Sequence, residues 1–193
     1  MLLGTGAKRK EEYEEMKSYV VEYDEIKDGM RIVVVFTDMG HRCGHVGVDK
    51  SHPLYEVKYT SALPEQLLPK WKKILDKPAG KRSIFDLLCC TVEQPTLGVF
   101  FDVHGGITFS RHGRGKYPVD DAERWYFGFD CAHYGDTPDE ESYQRYFNKK
   151  FADMSIFAER GGHVRDKEYV LKECQSLAHQ LKDVEELYSG ERK

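Results

Sequence analysis

The alternation of apolar and polar positions divides the chain into strand-like and helix-like stretches. "YVVEY" (19–23) and "MRIVVVFTD" (30–38) have strand character, and Asp28-Gly29 between them is a turn pair. Residues 18–37 therefore predict a β-hairpin. Glycines at 40, 44 and 47 make the next segment an irregular or strongly bent strand, ended by Pro53. From Pro64 the period turns helical: Leu67, Leu68, Trp71, Ile74 and Leu75 recur at spacings of three and four. Pro69 inside that run predicts a kinked helix or two short ones. "SIFDLLCC" (83–90) reads as a short buried helix. "LGVFFDVHG" and "GITFS" read as two strands around a turn or bulge at Gly105-Gly106, and "RHGRGKYPVDDAE" as a loop. "RWYFGFDCAH" reads as a strand, and "DTPDEESYQRYFNKKF" as the start of a helix with an acidic first turn.

The last element is the most regular. After Asp166, an N-cap, residues Val170, Cys174, Leu177, Leu181, Val184 and Tyr188 recur at steps of four and three, a single apolar stripe. That stripe implies a long amphipathic C-terminal helix packed on the domain's own sheet. The expected fold class is α+β: a mostly antiparallel sheet with helices on one face. No internal repeat or long linker divides residues 1–193, which read as one domain with a helical insertion at 60–96.

Composition narrows the function classes. The 193 residues are 40% hydrophobic, 32% charged and 12% aromatic, an ordinary globular balance. No apolar run approaches the roughly 20 residues of a membrane span, and the first residues lack the apolar core of a secretory signal. Five cysteines, an odd count with Cys89 and Cys90 adjacent, fit free thiols in a reducing cytoplasm better than a disulfide framework. A net charge of −4 supplies no field for duplex nucleic acid, though a local basic pocket for a small phosphate compound is compatible with it.

Three segments concentrate chemistry: "MGHRCGHVGVDKSHPLY" (39–55), "DVHGGITFS" (102–110) and "WYFGFDCAHYGD" (125–136). A metal is the less favoured reading. His41, Cys43 and His45 share one face of a straight strand, but their Cβ atoms would then be about 6.5–7 Å apart per step. Zinc needs neighbouring donors about 3.5 Å apart, so only a bent strand, or a mixed site with His104, Cys131 or His133, would serve. Neither CxxC nor HExxH is present.

A catalytic reading starts from pairs. Asp102 and His104 fall on one side of the expected strand, as do Cys131 and His133, with Asp136 just beyond. A carboxylate-held histidine is the usual general base, and a cysteine beside a histidine is a candidate nucleophile. The plainer reading of Cys131 is a small buried hydrophobe. His112, His163 and His179 have weaker claims. A binding reading uses Gly105 and Gly106 for close backbone approach, Arg42 and Arg111 (with Lys50, Arg114 and Lys116) for phosphate, and Trp125 or Tyr134 for stacking. His41, Cys43, His52 and Cys131 complete its polar rim. No phosphate-binding glycine loop opens a helix.

The three blocks together resemble a family of uncharacterised proteins from phages, prophages and bacteria, over most of residues 40–180. The family pattern carries an aromatic where His45 stands, so the resemblance removes His45 as an essential ligand. It replaces Asp49 by proline and Ser51 by glycine, and it has little counterpart to Tyr59–Leu97. No activity comes with the family. Its phage context implies a cytoplasmic protein that binds, and sequesters, a small nucleotide-derived signal of host defence. Two alternatives stand beside this: a hydrolase or phosphodiesterase using His104 and His133 with Asp102 or Asp136, and a protein-interaction module. The ligand's identity, a bound metal and a homo-oligomer are left open.

Overall fold

The computed structural model describes residues 18–75, 95–113, 117–148 and 162–190. Its centre is a five-stranded antiparallel sheet built from β1 (Tyr19–Lys27), β2 (Met30–Thr37), β3 (Arg42–Val48), β4 (Phe109–Gly113) and β5 (Asp121–Asp130). The strand order is β1-β2-β3-β5-β4. The turn joining β1 to β2 places Asp28 at φ 51° and Gly29 at φ 84°. Both central residues are thus left-handed, the conformation that matches a hairpin's twist and favours Asp-Gly.

Alternation along the strands separates two layers. Ile32, Val34, Val46, Val48, Trp125, Phe127 and Phe129 belong to the main core, together with Val170, Cys174, Leu177, Leu181 and Val184. These last five form the stripe of the C-terminal helix, Lys167–Gly190. Its N-cap is Asp166, whose carboxylate accepts the Tyr169 N–H at 2.7 Å. The opposite face carries a smaller cluster of Val33, Val35, Val119 and Tyr126, with Cys43, Phe109 and Tyr117 against it. Both faces of β5 are therefore covered, and the α+β class holds.

The bent strand expected at 40–48 is a regular one. β3 pairs without interruption with β2 and with β5. Gly44 and Gly47 serve packing instead: a Cβ at Gly44 would lie 2.5 Å from Cys174 Sγ and from the Phe129 ring, and one at Gly47 would lie 2.6 Å from the Tyr126 ring.

Three other expectations change. Pro69 does not kink a helix: a 3₁₀ turn at Glu65–Leu67 leads into α1 (Leu68–Leu75), and Pro69 falls in its first turn, where a missing N–H costs nothing. "LGVFFDVHG" is not a strand, since Leu97–Phe100 is one turn of helix, α2. Residues 101–108 form a loop held by Ile107 N–H on Gly98 O and Thr108 N–H on Gly128 O, 2.9 Å each. The run starting at Arg111 is not all loop, because Phe109–Gly113 is the edge strand β4. The expected helix at 83–90 lies outside the described residues, as does most of the insertion. An antiparallel bridge between Ala62 and Thr96 brings the two ends of that segment together.

Beyond β5, the short strand β6 (Asp136–Thr137) pairs in parallel with β7 (His163–Val164). Between them lies α3 (Glu140–Phe147), N-capped by Asp139 and closed by Asn148 in the left-handed region. The C-terminal helix follows β7 and is α4. None of the described helices is long and apolar enough to cross a membrane.

Candidate functional site

Three loops meet at the end of the sheet where β3 begins and β5 ends. The first supplies His104, carried outward between the buried anchors Val103 and Ile107. Its turn is closed by Gly106 N–H on Val103 O at 3.0 Å, with Gly105 and Gly106 at φ 67° and 81°. Side chains resist that conformation, so the glycine pair makes the turn. A Cβ on Gly105 would overlap the His133 imidazole. The close approach of the two loops thus depends on that missing atom.

The second loop supplies His133 and Asp136. Buried Cys131 anchors it, and its N–H extends the ladder to Arg42 O at 3.0 Å. Residues 133 and 136 brace each other: Asp136 N–H donates to His133 O (2.9 Å) and His133 N–H to Asp136 Oδ2 (3.0 Å). The third segment, from β7 into the first two turns of α4, supplies Arg165, Tyr169 and Glu173.

Asp136 is the hub. Its Oδ2 takes His104 Nε2 at 2.7 Å as well as the His133 N–H, and its Oδ1 takes Arg165 Nε at 2.7 Å. Burial would push this carboxyl up, but Arg165, His104 and the His133 N–H outweigh it and hold it below its ordinary range. An ionised carboxylate only accepts, so His104 Nε2 carries the hydrogen, and Nδ1 accepts from the Tyr169 hydroxyl at 3.0 Å. Burial, with the Glu173 charge behind it, raises Tyr169 and keeps that hydroxyl protonated. The main chain of His104 is also fixed, its N–H bonding Glu173 Oε2 at 2.8 Å. His104 is thus held at three points.

His133 is different. Its ring stands 5.3 Å, centroid to centroid, from that of His104. Its Nδ1 lies 3.9 Å from both Asp130 Oδ1 and Asp136 Oδ2 and has no hydrogen-bond partner. Its side chain is about one-third exposed, at 35%. His41 lies close by, bonded to the Cys131 main chain. Burial lowers its pKa, against the opposing charges of Asp136 and Asp130.

The remaining candidates are dispersed. Arg42 is 4% exposed, and its five N–H donors are all engaged. Glu22 takes two of them (2.7 and 3.0 Å), and Asp139, Ser142 and Arg165 O take one each (2.8, 2.9 and 3.2 Å). This arginine, expected to meet phosphate, joins β1, β3, α3 and the Arg165 segment. Cys43 faces Tyr117 on the far side of the sheet, its thiol pushed up to about 12 by burial. Burial raises the Cys131 thiol further, with nearby acidic charge adding to it, so neither is a ready nucleophile. Arg111 lies over Phe109 and Tyr117 on that far face. Trp125 is core, its indole N–H on Val57 O at 3.0 Å. His52 is buried, accepting the Leu54 N–H at Nδ1 and donating from Nε2 to Leu181 O, and so clips the segment after β3 onto α4. Asp102 makes main-chain bonds to Gln180, while the carboxylate beside His104 is that of Asp136. Tyr134 projects into solvent at 91% exposure.

A cavity of about 480 Å³ lies at the opposite end, between the β1–β2 turn and α4, lined in part by Met30, Ile32, His179 and Lys182. A smaller one of about 160 Å³ adjoins it, and His52 lines that. No residue of the His104 cluster lines either.

Arg165, Tyr169 and Glu173 were not singled out from sequence. One signal was available: Tyr169 and Glu173 stand four apart in the first turns of α4, just beside the apolar stripe. Comparisons with protein-family models, curated proteins and solved structures find no match for this chain.

Proposed function

We propose that the protein is a hydrolase of a small phosphodiester, and that His104, His133 and Asp136 are its centre. The observation that carries this reading is the division of labour within the cluster. Asp136 fixes His104 in one tautomer and orientation, while the partly exposed ring of His133 sits beside it with a buried, unpartnered Nδ1. A carboxylate-held imidazole next to a second, accessible one is an arrangement suited to proton transfer at a reacting group. Water is the nucleophile. Its oxygen bonds to phosphorus and the P–O bond to the leaving group breaks. His133 moves the protons, taking one from the water and giving one to the leaving oxygen; His104, whose two ring nitrogens are engaged by Asp136 and Tyr169, fixes the carboxylate beside it.

The substrate class comes from the phage-type likeness of the three blocks, which suggests a nucleotide-derived signal. The exposed Tyr134 ring beside His133 offers a flat face for a base. Sequestration without turnover is the second reading: a sequestering site encloses most of its ligand, and neither cavity described above includes the His104 cluster.

The test is to incubate purified protein with cyclic and linear dinucleotides and ADP-ribose-type compounds, heat-denature it, and weigh the released molecules by mass spectrometry. Hydrolysis predicts one compound recovered with the mass of one added water, or as its fragments. A compound depleted from solution and recovered intact would mean that the cluster binds without cleaving.

A further inference from the structure

The donor atoms of His104, His133 and Asp136 all lie within 4.8 Å of one another. We propose that they bind a single divalent transition-metal ion of the zinc class. Zinc holds nitrogen and carboxylate oxygen at about 2.0–2.2 Å, which places neighbouring donors about 3.3–3.5 Å apart. The two distances available bracket that value: His104 Nε2 is 2.7 Å and His133 Nδ1 is 3.9 Å from Asp136 Oδ2. A small outward turn of His104 and a small inward turn of His133 bring all three to one ion. Binding at Nε2 takes the other tautomer of His104: the ring proton passes to Nδ1, which then donates to the Tyr169 hydroxyl oxygen.

The surroundings fit a metal centre beyond its ligands. Metal-bound histidines pass their second ring nitrogen to a fixed partner, and metal-bound carboxylates are themselves hydrogen-bonded. Here Tyr169 holds His104 Nδ1, and Arg165 holds the free oxygen of Asp136. His133 Nδ1 is otherwise an unexplained orphan: a buried ring nitrogen with no partner, aimed toward a carboxylate 3.9 Å away. Such orphans are uncommon, and an ion satisfies this one. Two imidazoles and one carboxylate leave the fourth tetrahedral position to water.

The chemistry of the inference rests on the hydrolytic reading, but the binding does not. If both hold, the ion lowers the pKa of its bound water, and His133 is a ligand in place of a base.

The test uses the full chain, stripped with a chelator and titrated with Co²⁺ and then Zn²⁺ near neutral pH. We expect one equivalent of Co²⁺ with a visible absorption band that Zn²⁺ abolishes. His133→Ala, which removes a partly exposed ring, should lose stoichiometric binding with circular dichroism unchanged. Tyr169→Phe should weaken binding about 10- to 100-fold. The inference is overturned if the wild type takes up no Co²⁺ at micromolar protein, or if His133→Ala binds as the wild type does. Stoichiometric metal with no turnover of any phosphodiester would support it and sink the hydrolase.

Discussion

At the scale of single residues, the site depends on an atom that is missing. Gly105 combines φ 67° with direct contact on the His133 ring. Gly105→Ala adds a methyl where the imidazole lies and imposes left-handed backbone on a β-carbon, costing about 1–2 kcal/mol. Because His133 is partly exposed, it can swing aside, so we expect a folded protein with a slightly lower melting temperature. Its hydrolytic rate should fall at least tenfold. Wild-type turnover in that variant would show that the two loops need not approach so closely.

Residue chemistry was legible in the sequence only where it is local. His104, His133 and Asp136 stood out as reactive types beside glycines, and the structure brings these three together. Arg42 stood out equally and was assigned to phosphate. The partners that consume it, Glu22, Asp139, Ser142 and the Arg165 carbonyl, lie 20, 97, 100 and 123 positions away in the chain. Arg165 and Tyr169 were silent for the same reason. What they do is defined by a tertiary neighbour, and no spacing rule encodes that.

At the scale of elements, the legible ones are those whose period has room to repeat. The β1–β2 hairpin and α4 follow alternation and a three-four stripe over 19 and 24 residues, counting the hairpin from Tyr19 to Thr37. Leu97–Phe100 is only four residues long, and a short apolar run does not distinguish a buried strand from a buried helix turn. β4 was hidden by the charged and polar residues that suit an edge strand. Gly44 and Gly47 look like strand breakers in sequence, yet they make room for Phe129, Cys174 and Tyr126.

The elements are locked together at the site end by Arg42, and this is testable. Arg42→Met would strand Glu22, whose side chain is 3% exposed, and the Asp139 cap of α3, at 17%. Removing one partner of a buried ion cluster costs about 3–5 kcal/mol. We expect a loss of that order in urea unfolding, and α3 and the Arg165 segment to exchange amide hydrogens faster than β2 does. A loss below about 1 kcal/mol would mean that the cluster is not a structural lock.

At the scale of the whole molecule, the histidines that are not in the site govern how the fold responds to acid. Burial lowers His45 from its ordinary 6.5 to about 3, and lowers His52 and His41 as well. These rings are neutral in the fold and take protons more readily once unfolded. Stability is therefore complete above about pH 6.5 and falls as the pH drops toward the folded values. The slope is up to about 1.4 kcal/mol per pH unit for each histidine. Asp121, Asp136 and Asp139 lie below their ordinary 3.8, so their contribution is lost in turn as the pH falls through and below that value. Urea unfolding from pH 8 to pH 4 should give a plateau down to about pH 6.5 and a decline below it. Stability unchanged between pH 7 and pH 5 would contradict this account of the buried rings.

The central claim is that the His104–His133–Asp136 cluster performs chemistry, and His133 exposes it most directly. Its ring nitrogen Nδ1 has no structural hydrogen bond to lose. The measurement is the rate of phosphodiester cleavage by the wild type and by His133→Ala, with melting temperatures recorded in parallel. The account predicts at least a 100-fold loss of rate with a melting temperature changed by only a few degrees. Equal rates in the two proteins, or a wild type that cleaves no member of the dinucleotide panel, would contradict it.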